Sequence, residues 1–371
     1  MVLQASNIHD KRRDMENRPP VKHSVVSKIK GLSRQRVRAR ATPGSPRFLH
    51  DASRRSKARA SSSTLRFQVP PTPVALPTPA DVEMTDAAPA ELPTTTVTLP
   101  RLLAHPQRKE VPRETMTKID PTLENVPMDF TRDVLKMQGP HMLKVLSSVQ
   151  AEPARNALPK ELPIVVNDLS CDLPTHMMAV WSRLPTSLPK RKVTLYPVHN
   201  MILAAHCANL PALPESHPQP PSTDGESITV PVVPLGLPSP HSFPQLTSYL
   251  YTKRVDTLLL ALLPCAPPAP LQPSPDSEDR EAEQKAMIAQ FARKLSATFT
   301  PHALLQRTLF IYGMWKNVCA LGIFDDNLWL VMELAWEVMM CAMAYATGNT
   351  SVQPMPPMYS PSPVLPETEA Q

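Results

Sequence analysis

The sequence predicts a mixed α+β fold: a folded body that ends in a helical hairpin, flanked by long disordered basic and proline-rich segments. Three observations support this class. The 371 residues include 47 prolines but only 8 glycines, and only 5% are aromatic. Short runs rich in β-branched and apolar residues lie in the middle of the chain. Long apolar stretches with helical periodicity lie near its C-terminus.

Proline-rich stretches divide the chain. Residues 69–79, 264–275 and 354–366 favour solvated polyproline II over helix or sheet. Such segments bury too little apolar surface to offset the entropy of ordering, about 1–2 kcal/mol per backbone residue. The predicted organisation is a disordered basic, then proline-rich arm over 1–110, a helical lead-in over 111–160, a core over 161–263, a proline-rich acidic linker over 264–280, C-terminal helices over 281–347 and a disordered tail over 348–371.

Charge is unevenly distributed. Residues 1–66 contain 17 Lys and Arg against 4 Asp and Glu, whereas the whole chain carries only +6, so the remaining residues carry −7. A basic arm can direct nuclear import, bind nucleic acid through its phosphates, or remain a solvated tail. Import is favoured, because the arm has few aromatic residues for base stacking. The candidate import residues are Lys11, Arg12, Arg13, Arg34, Arg36, Arg38, Arg40, Arg54, Arg55, Lys57 and Arg59.

Four short runs predict strands: 162–166, 177–181, 193–196 and 228–233. Beyond them, residues 281–299 carry apolar side chains at i, i+4 spacing and predict a helix. A second helix is expected after the cap Thr300 and to end at Gly322. A third is expected from a cap at Asp325 or Asp326 to a stop at Gly348. The last two form the predicted C-terminal hairpin.

The third of these helices includes an apolar stretch, residues 328–346, that is about as long as a bilayer span. Glu333 and Glu337 lie near its middle, where each carboxylate would cost roughly 2.5–3.5 kcal/mol on membrane insertion. The sequence therefore predicts a buried core helix or a helix in a partner groove, and no membrane contact. The first fifteen residues carry charges of both signs and no apolar core, so no export signal is expected.

Two stretches in the middle of the chain, YPVHNMILAAHCANL (196–210) and FPQLTSYLYTKRV (243–255), each have the periodicity of a buried helix. Their order and residue types resemble the two signature helices of the BTB/POZ fold. The resemblance implies a divergent BTB/POZ-like core that binds other proteins. The candidate core and contact residues in these stretches and in the C-terminal helices are Tyr196, His199, Leu203, Phe243, Leu246, Leu250, Tyr251, Trp315, Asp325, Trp329 and Trp336.

The two stretches also depart from the BTB pattern. Cys207 stands where that family usually has Ser, Leu210 where it has Phe, and Thr247 where it has Leu. The segment between the stretches is rich in proline. Dimerisation through the usual BTB surface therefore does not follow from the resemblance.

Motifs of catalysis and cofactor binding are missing from the sequence. It contains no GxGxxG, GxxxxGK, GxSxG, HExxH or CxxC pattern, so we expect no enzymatic activity, cofactor or metal. His199 is predicted to cap its helix or lie at the core edge, and Cys207 to be a small buried residue. Five scattered cysteines suit a reducing compartment, the cytosol or nucleus. The nearest approach to a metal cluster in the sequence consists of Cys171, His176, His199, His206, Cys207 and His217. The spacings between these residues match no zinc module.

Eight Ser-Pro or Thr-Pro pairs are candidate sites of proline-directed phosphorylation, although some must arise by chance in so proline-rich a chain. Their first residues are Thr42, Ser45, Thr72, Thr78, Ser239, Ser274, Ser360 and Ser362.

A closer resemblance covers residues 110–346. The segments VPRETMTKIDPTLENVPMDFTRDVL, MQGPHMLKVLSSV, LPTHMMAVW, VTLYPVHNMILAAHCANLPALP, SFPQLTSYLYTKRVDTLLLALLP and MWKNVCALGIFDDNLWLVMELAWEVM together resemble the clampless-type proteins of basidiomycete fungi. The resemblance implies a nuclear regulator that acts downstream of mating type in clamp-cell formation and dikaryon proliferation, through contacts with transcription regulators. The alternatives are a nucleic-acid-binding protein that uses its basic arm and a substrate adaptor of a ubiquitin ligase.

Overall fold

The computed structural model has the predicted mixed α+β architecture. It describes residues 64–70, 94–152, 157–185, 191–221, 226–268, 271, 279–349 and 351–355. All of these described residues belong to one compact unit.

A five-stranded sheet lies at the centre of the fold. Its strands are β3 (Val149–Ala151), β4 (Glu161–Val166), β5 (His176–Ser182), β6 (Val193–Val198) and β7 (Ser227–Leu237). The spatial order is β3-β4-β7-β5-β6, in which β5 pairs parallel with β7 and the other pairs are antiparallel. All four predicted strands are confirmed, each at least one residue longer than predicted.

The two faces of the sheet contact different apolar clusters. Along β5, Met178 and Val180 belong to the main core, while Met177 and Ala179 belong to a smaller cluster that includes Val145. Successive side chains of a strand point to opposite faces, so this run without polar residues reflects burial on both sides.

Two further strands, β1 (Thr64–Val69) and β2 (Thr95–Pro100), form an antiparallel pair within the arm predicted to be disordered over 1–110. Phe67, Val69 and Leu99 are buried in the main core. The burial of these apolar side chains offsets the entropy cost of ordering the strands, although the average composition of the arm suggests too little burial to do so. Disorder is therefore the wrong expectation for the described residues 64–70 and 94–110.

The two BTB-like stretches form short helices that pack on the sheet. They are α3 (Asn200–His206) and α4 (Phe243–Thr252), and α4 is followed by α5 (Val255–Leu262). Lys253 ends α4 in the left-handed region, with φ of 52°, and its amide donates to the Tyr249 carbonyl. A non-glycine residue in this conformation needs support from its surroundings, which an ion pair to Asp325 supplies here.

The lead-in contains α1 (Arg113–Ile119) and α2 (Met128–Ser147), joined by a 3-10 turn at Pro121–Asn125. α2 crosses very close to the end of α4. A Cβ atom added to Gly139 would lie 2.0 Å from the Tyr251 carbonyl oxygen. Glycine is therefore required at this crossing for steric reasons.

Three long helices complete the fold: α6 (Arg280–Thr298), α7 (Pro301–Leu321) and α8 (Asp326–Thr347). The predicted cap Thr300 accepts from the Ala303 amide, and Asp325, not Asp326, caps α8 by accepting from the Leu328 amide. Gly322 and Gly348 end α7 and α8 in the left-handed conformation, as predicted.

α8 is long and apolar enough to cross a membrane by length and composition, but 83% of its most apolar window is buried inside the protein. The expectation of a buried core helix is thus confirmed. Residues just after α8 are also ordered: Val352 is 6% exposed and packs in the main core, so the predicted disordered tail does not begin at residue 348.

Candidate functional site

Helix α2 has two apolar faces, and the fold covers only one of them. Leu135 and Met142 are buried in the main core, whereas Phe130 is 61% and Met137 71% exposed. Positions i and i+7 lie on the same side of a helix, because seven residues make almost two turns. α2 therefore presents large apolar side chains to solvent along one line.

A groove with a volume of about 720 Å³ adjoins this face, within the size range of ligand sites. Phe130 and Val134 of α2 line it together with the largely buried Leu135 and Met142, and Leu123 of the 3-10 turn lines it as well. Leu169 and Leu173, from the loop that follows β4, line it as well. Leu169 is 44% exposed. The groove is thus apolar and open to solvent.

The polar end of the groove is held by hydrogen bonds within the protein. The backbone amide of Asn200 donates to Thr175 Oγ1 over 2.7 Å, and Ser216 Oγ donates to the Thr175 carbonyl over 2.6 Å. Asn200 Oδ1 accepts from the Met201 amide. These groups already have partners, which makes the end rigid.

His199 lies beneath this end. Its Nε2 is 2.9 Å from the Asp172 carbonyl oxygen, which can only accept, so Nε2 carries the proton. Nδ1 then accepts from the Tyr251 hydroxyl over 3.0 Å, and the same hydroxyl accepts from the His199 amide. Burial lowers the pKa of His199, which keeps the ring neutral at physiological pH.

A second cavity of about 680 Å³ lies next to the groove, and Asn200, Ser216 and His217 line both. The proline-rich segment 210–220 borders the two spaces. Its position is fixed by a hydrogen bond of 2.9 Å between the His176 ring and the Pro214 carbonyl. The two cavities therefore meet along one anchored segment.

The groove is acidic. Asp120 and Asp172 line it, and no Lys or Arg is among its described lining residues. Hydrogen bonds from Thr122 lower the pKa of Asp120, so this carboxylate is ionised at neutral pH.

Most of the predicted residues of the BTB-like stretches lie in the core beneath the groove. Leu203, Leu246 and Leu250 are at most 2% exposed. The rings of Tyr196 and Phe243 lie 5.3 Å apart, which joins the two stretches. His199 occupies the cap position of α3, but its side chain does not cap the helix and the residue is 1% exposed. Among the predicted core and contact residues that the structure describes, His199 is the one that lines the groove. Cys207 is buried as predicted, and burial raises the pKa of its thiol to about 12.

The predicted tryptophans hold the segment 101–105 against the C-terminal helices. Trp315 Nε1 donates to the Ala104 carbonyl over 3.0 Å, and Trp336 Nε1 donates to the Arg101 carbonyl over 3.2 Å. Trp329 packs its ring 4.2 Å from that of His105. Asp325 pairs with Lys253 at 2.9 Å. All four residues have intramolecular partners, so the structure gives them packing roles.

Two other groups of predicted residues are not brought to the site. The candidate import residues from Lys11 to Arg59 lie outside the described part of the chain. Ser239 is the one candidate phosphorylation site within it; its Oγ packs against Gly313 and its amide donates to Asn317 Oδ1. Among the described residues, no three His, Cys, Asp or Glu side chains are grouped as metal ligands.

The exposed wall of the groove was not predicted from the sequence. Phe130, Val134 and Met137 form a second apolar line on α2, and Phe130 and Val134 of this line reach the groove together with the buried Leu135 and Met142. The signal in the sequence is the number of apolar residues in α2, which is larger than one buried face of a helix requires. This excess could have indicated an exposed apolar face.

Comparison with protein families agrees with the resemblance in the sequence. The model of the clampless protein 1 N-terminal domain matches residues 106–238, and that of the clampless protein 1 C-terminal domain matches residues 256–369. No curated protein and no solved structure matches the chain significantly. The first matched region ends just before α4 and the second begins just after it, and the main core includes residues from both regions. Since they cover more than half of the sequence, the chain belongs to the clampless protein 1 family.

Proposed function

We propose that this protein is a non-enzymatic nuclear regulator of fungal sexual development, which acts by binding transcription regulators. Membership of the clampless family is consistent with a developmental regulator in fungi. Clamp-cell formation and dikaryon proliferation are the processes in which the family resemblance implies such a role.

The observation that carries the proposal is the open apolar groove beside α2. A surface that exposes Phe130 and Leu169 in one groove is typical of a protein or ligand contact. Thr175, Asn200 and Ser216 at its polar end are held by hydrogen bonds within the protein. Binding therefore explains the geometry better than chemistry does.

We further infer that the core is a divergent BTB/POZ-like module. Two contacts support this: the Tyr196 ring on Phe243, and the His199 hydrogen bonds to Tyr251. They bring the two signature stretches together as one unit under the groove.

Proximity labelling in the fungal cell tests the proposed function. The full-length protein should label transcription regulators, and Phe130→Asp should lose them, because a carboxylate replaces an exposed apolar anchor. Leu260→Asp is the matched control, since Leu260 is also exposed, at 50%, but lies on α5 outside the groove. If the same proteins are labelled by wild type and by Phe130→Asp, the groove is not the contact surface.

A second candidate function is nucleic-acid binding by the arm, which the excess of 17 Lys and Arg over 4 Asp and Glu in residues 1–66 supports. Affinity for DNA should then fall steeply between low and moderate salt, because bound counterions are released. A substrate adaptor would instead label ubiquitin-ligase subunits in the same proximity experiment.

A further inference from the structure

We propose that the groove binds a short basic protein segment that carries at least two large apolar side chains. This inference rests on the proposed function, because it specifies the partner of the same site.

The apolar part of the partner follows from the two exposed walls. Phe130 on α2 and Leu169 on the opposite loop line the groove and are 61% and 44% exposed. Val134, Leu123 and Leu173 continue the apolar surface between them. A volume of about 720 Å³ accommodates several side chains, so more than one anchor is expected.

The charge of the partner follows from the groove's carboxylates. Asp120 and Asp172 line it, and its described lining contains no Lys or Arg to neutralise them. Glu124, on the 3-10 turn that also carries the lining residue Leu123, is exposed and forms no ion pair with another described residue. Lys or Arg beside the apolar anchors would complement this field and raise the rate of association.

The polar end favours a preformed fit. The Asn200 backbone amide and the Ser216 hydroxyl both donate to Thr175, and Asn200 Oδ1 accepts from the Met201 amide, so a partner need not supply hydrogen bonds to these atoms. The groove can therefore bind through apolar contact and charge with little rearrangement.

The same charges argue against a second copy of the chain as the occupant. In a two-fold symmetric dimer the same patch meets itself. Asp120 and Asp172 of one copy would then approach those of the other without compensating cations from the lining. A basic partner avoids this repulsion.

Selection from a random peptide display library on the full-length protein tests the proposal. Enriched peptides should carry net positive charge and at least two of Leu, Ile, Met, Phe and Trp. A synthetic copy of the most enriched peptide, measured by fluorescence anisotropy, should bind Phe130→Asp at least about tenfold more weakly than wild type. Asp172→Lys should weaken binding severalfold and reduce its salt dependence. Glu161→Lys, an exposed charge reversal on β4, should bind like wild type.

Three results would overturn the inference: enrichment of acidic or uncharged peptides, no enrichment above background, or binding that survives Phe130→Asp. Sedimentation of the protein alone could give a fourth contradicting result: a dimer that the substitution Phe130→Asp dissociates. The groove would then be an interface between two copies of the chain.

If acidic peptides are enriched and Phe130→Asp abolishes their binding, the proposed binding function stands and only the basic partner is wrong. If proximity labelling fails while basic peptides bind the groove, the assigned regulatory role is wrong and the ligand chemistry stands.

Discussion

Arg101 and Glu337 lie 236 positions apart in the sequence and form a buried two-point ion pair. Arg101 Nη1 lies 2.5 Å from Glu337 Oε2, and Nη2 lies 2.6 Å from Oε1. The same groups bind residues after α8: Nη2 donates to the Gln353 carbonyl, and the Met355 amide donates to Glu337 Oε1. One pair thus joins the residues after β2, helix α8 and the segment that follows it.

Removal of one partner of this pair should be strongly destabilising. Glu337→Gln leaves a buried guanidinium without its counter-charge, and we expect a loss of about 3–5 kcal/mol in the free energy of unfolding. The double variant Arg101→Met with Glu337→Met should lose less than Glu337→Gln, because no charge stays buried. Urea denaturation measures both, with Glu281→Gln as the control in an exposed pair. A loss below 1 kcal/mol for Glu337→Gln would contradict the burial of the pair.

Acid should destabilise the fold through His206. Burial, with the charges of Lys253 and Arg132, lowers the pKa of His206 to about 3 from 6.5. Between these values the unfolded chain binds a proton that the folded protein does not. The free energy of unfolding should therefore fall as the pH falls from 6.5 towards 3, by up to about 1.4 kcal/mol per pH unit from this residue.

The test is urea denaturation across this pH range. His206→Gln, which keeps an acceptor towards Lys253, should make the decline shallower. His241→Gln alters an exposed histidine and serves as the matched control. An unchanged pH slope in His206→Gln would show that the buried histidine does not cause the acid sensitivity.

The close crossing of α2 and α4 reverses the usual effect of a helical Gly→Ala change. At an ordinary helix position the substitution stabilises by up to about 1 kcal/mol. At Gly139 the new methyl group would collide with the Tyr251 carbonyl oxygen, so we expect a loss of about 1–3 kcal/mol. Thermal unfolding checks the sign, with Lys136→Ala on the exposed side of α2 as the control. A more stable Gly139→Ala protein would rule out so close a crossing.

Thiol labelling can report whether the groove is occupied. Cys171 lines the groove and is partly exposed, so it should react with iodoacetamide in the native protein. Cys207 and Cys341 should not react, because both are buried and burial raises the pKa of each thiol. A peptide selected for the groove should protect Cys171 but not Cys265, which is also partly exposed and lies elsewhere. Mass spectrometry of the labelled peptides distinguishes these sites.

The basic arm can be tested without damage to the fold. Removal of residues 1–66 would cut into β1, where Phe67 is buried, whereas removal of residues 1–60 spares the whole strand. Removal of residues 1–60 should abolish nuclear accumulation of a fluorescent fusion, and an unrelated import signal should restore it. Unchanged accumulation would refute the import role of the arm.

The sequence by itself determined the α+β class, the four central strands, the cap at Thr300 and the clampless family. These features depend on local residue preferences and on patterns that can be recognised along the chain. The BTB/POZ-like identity of the core stays a prediction, since no solved structure matches the chain significantly.

The tertiary structure alone decided the rest. The order of the sheet, the burial of Phe67 and the pairing of Arg101 with Glu337 join residues that are distant in sequence. The groove arises in the same way, because nothing local shows which apolar face of α2 stays uncovered. Exposure of Phe130 and Leu169 depends on which elements pack beside them, and that is settled only when the whole chain has folded.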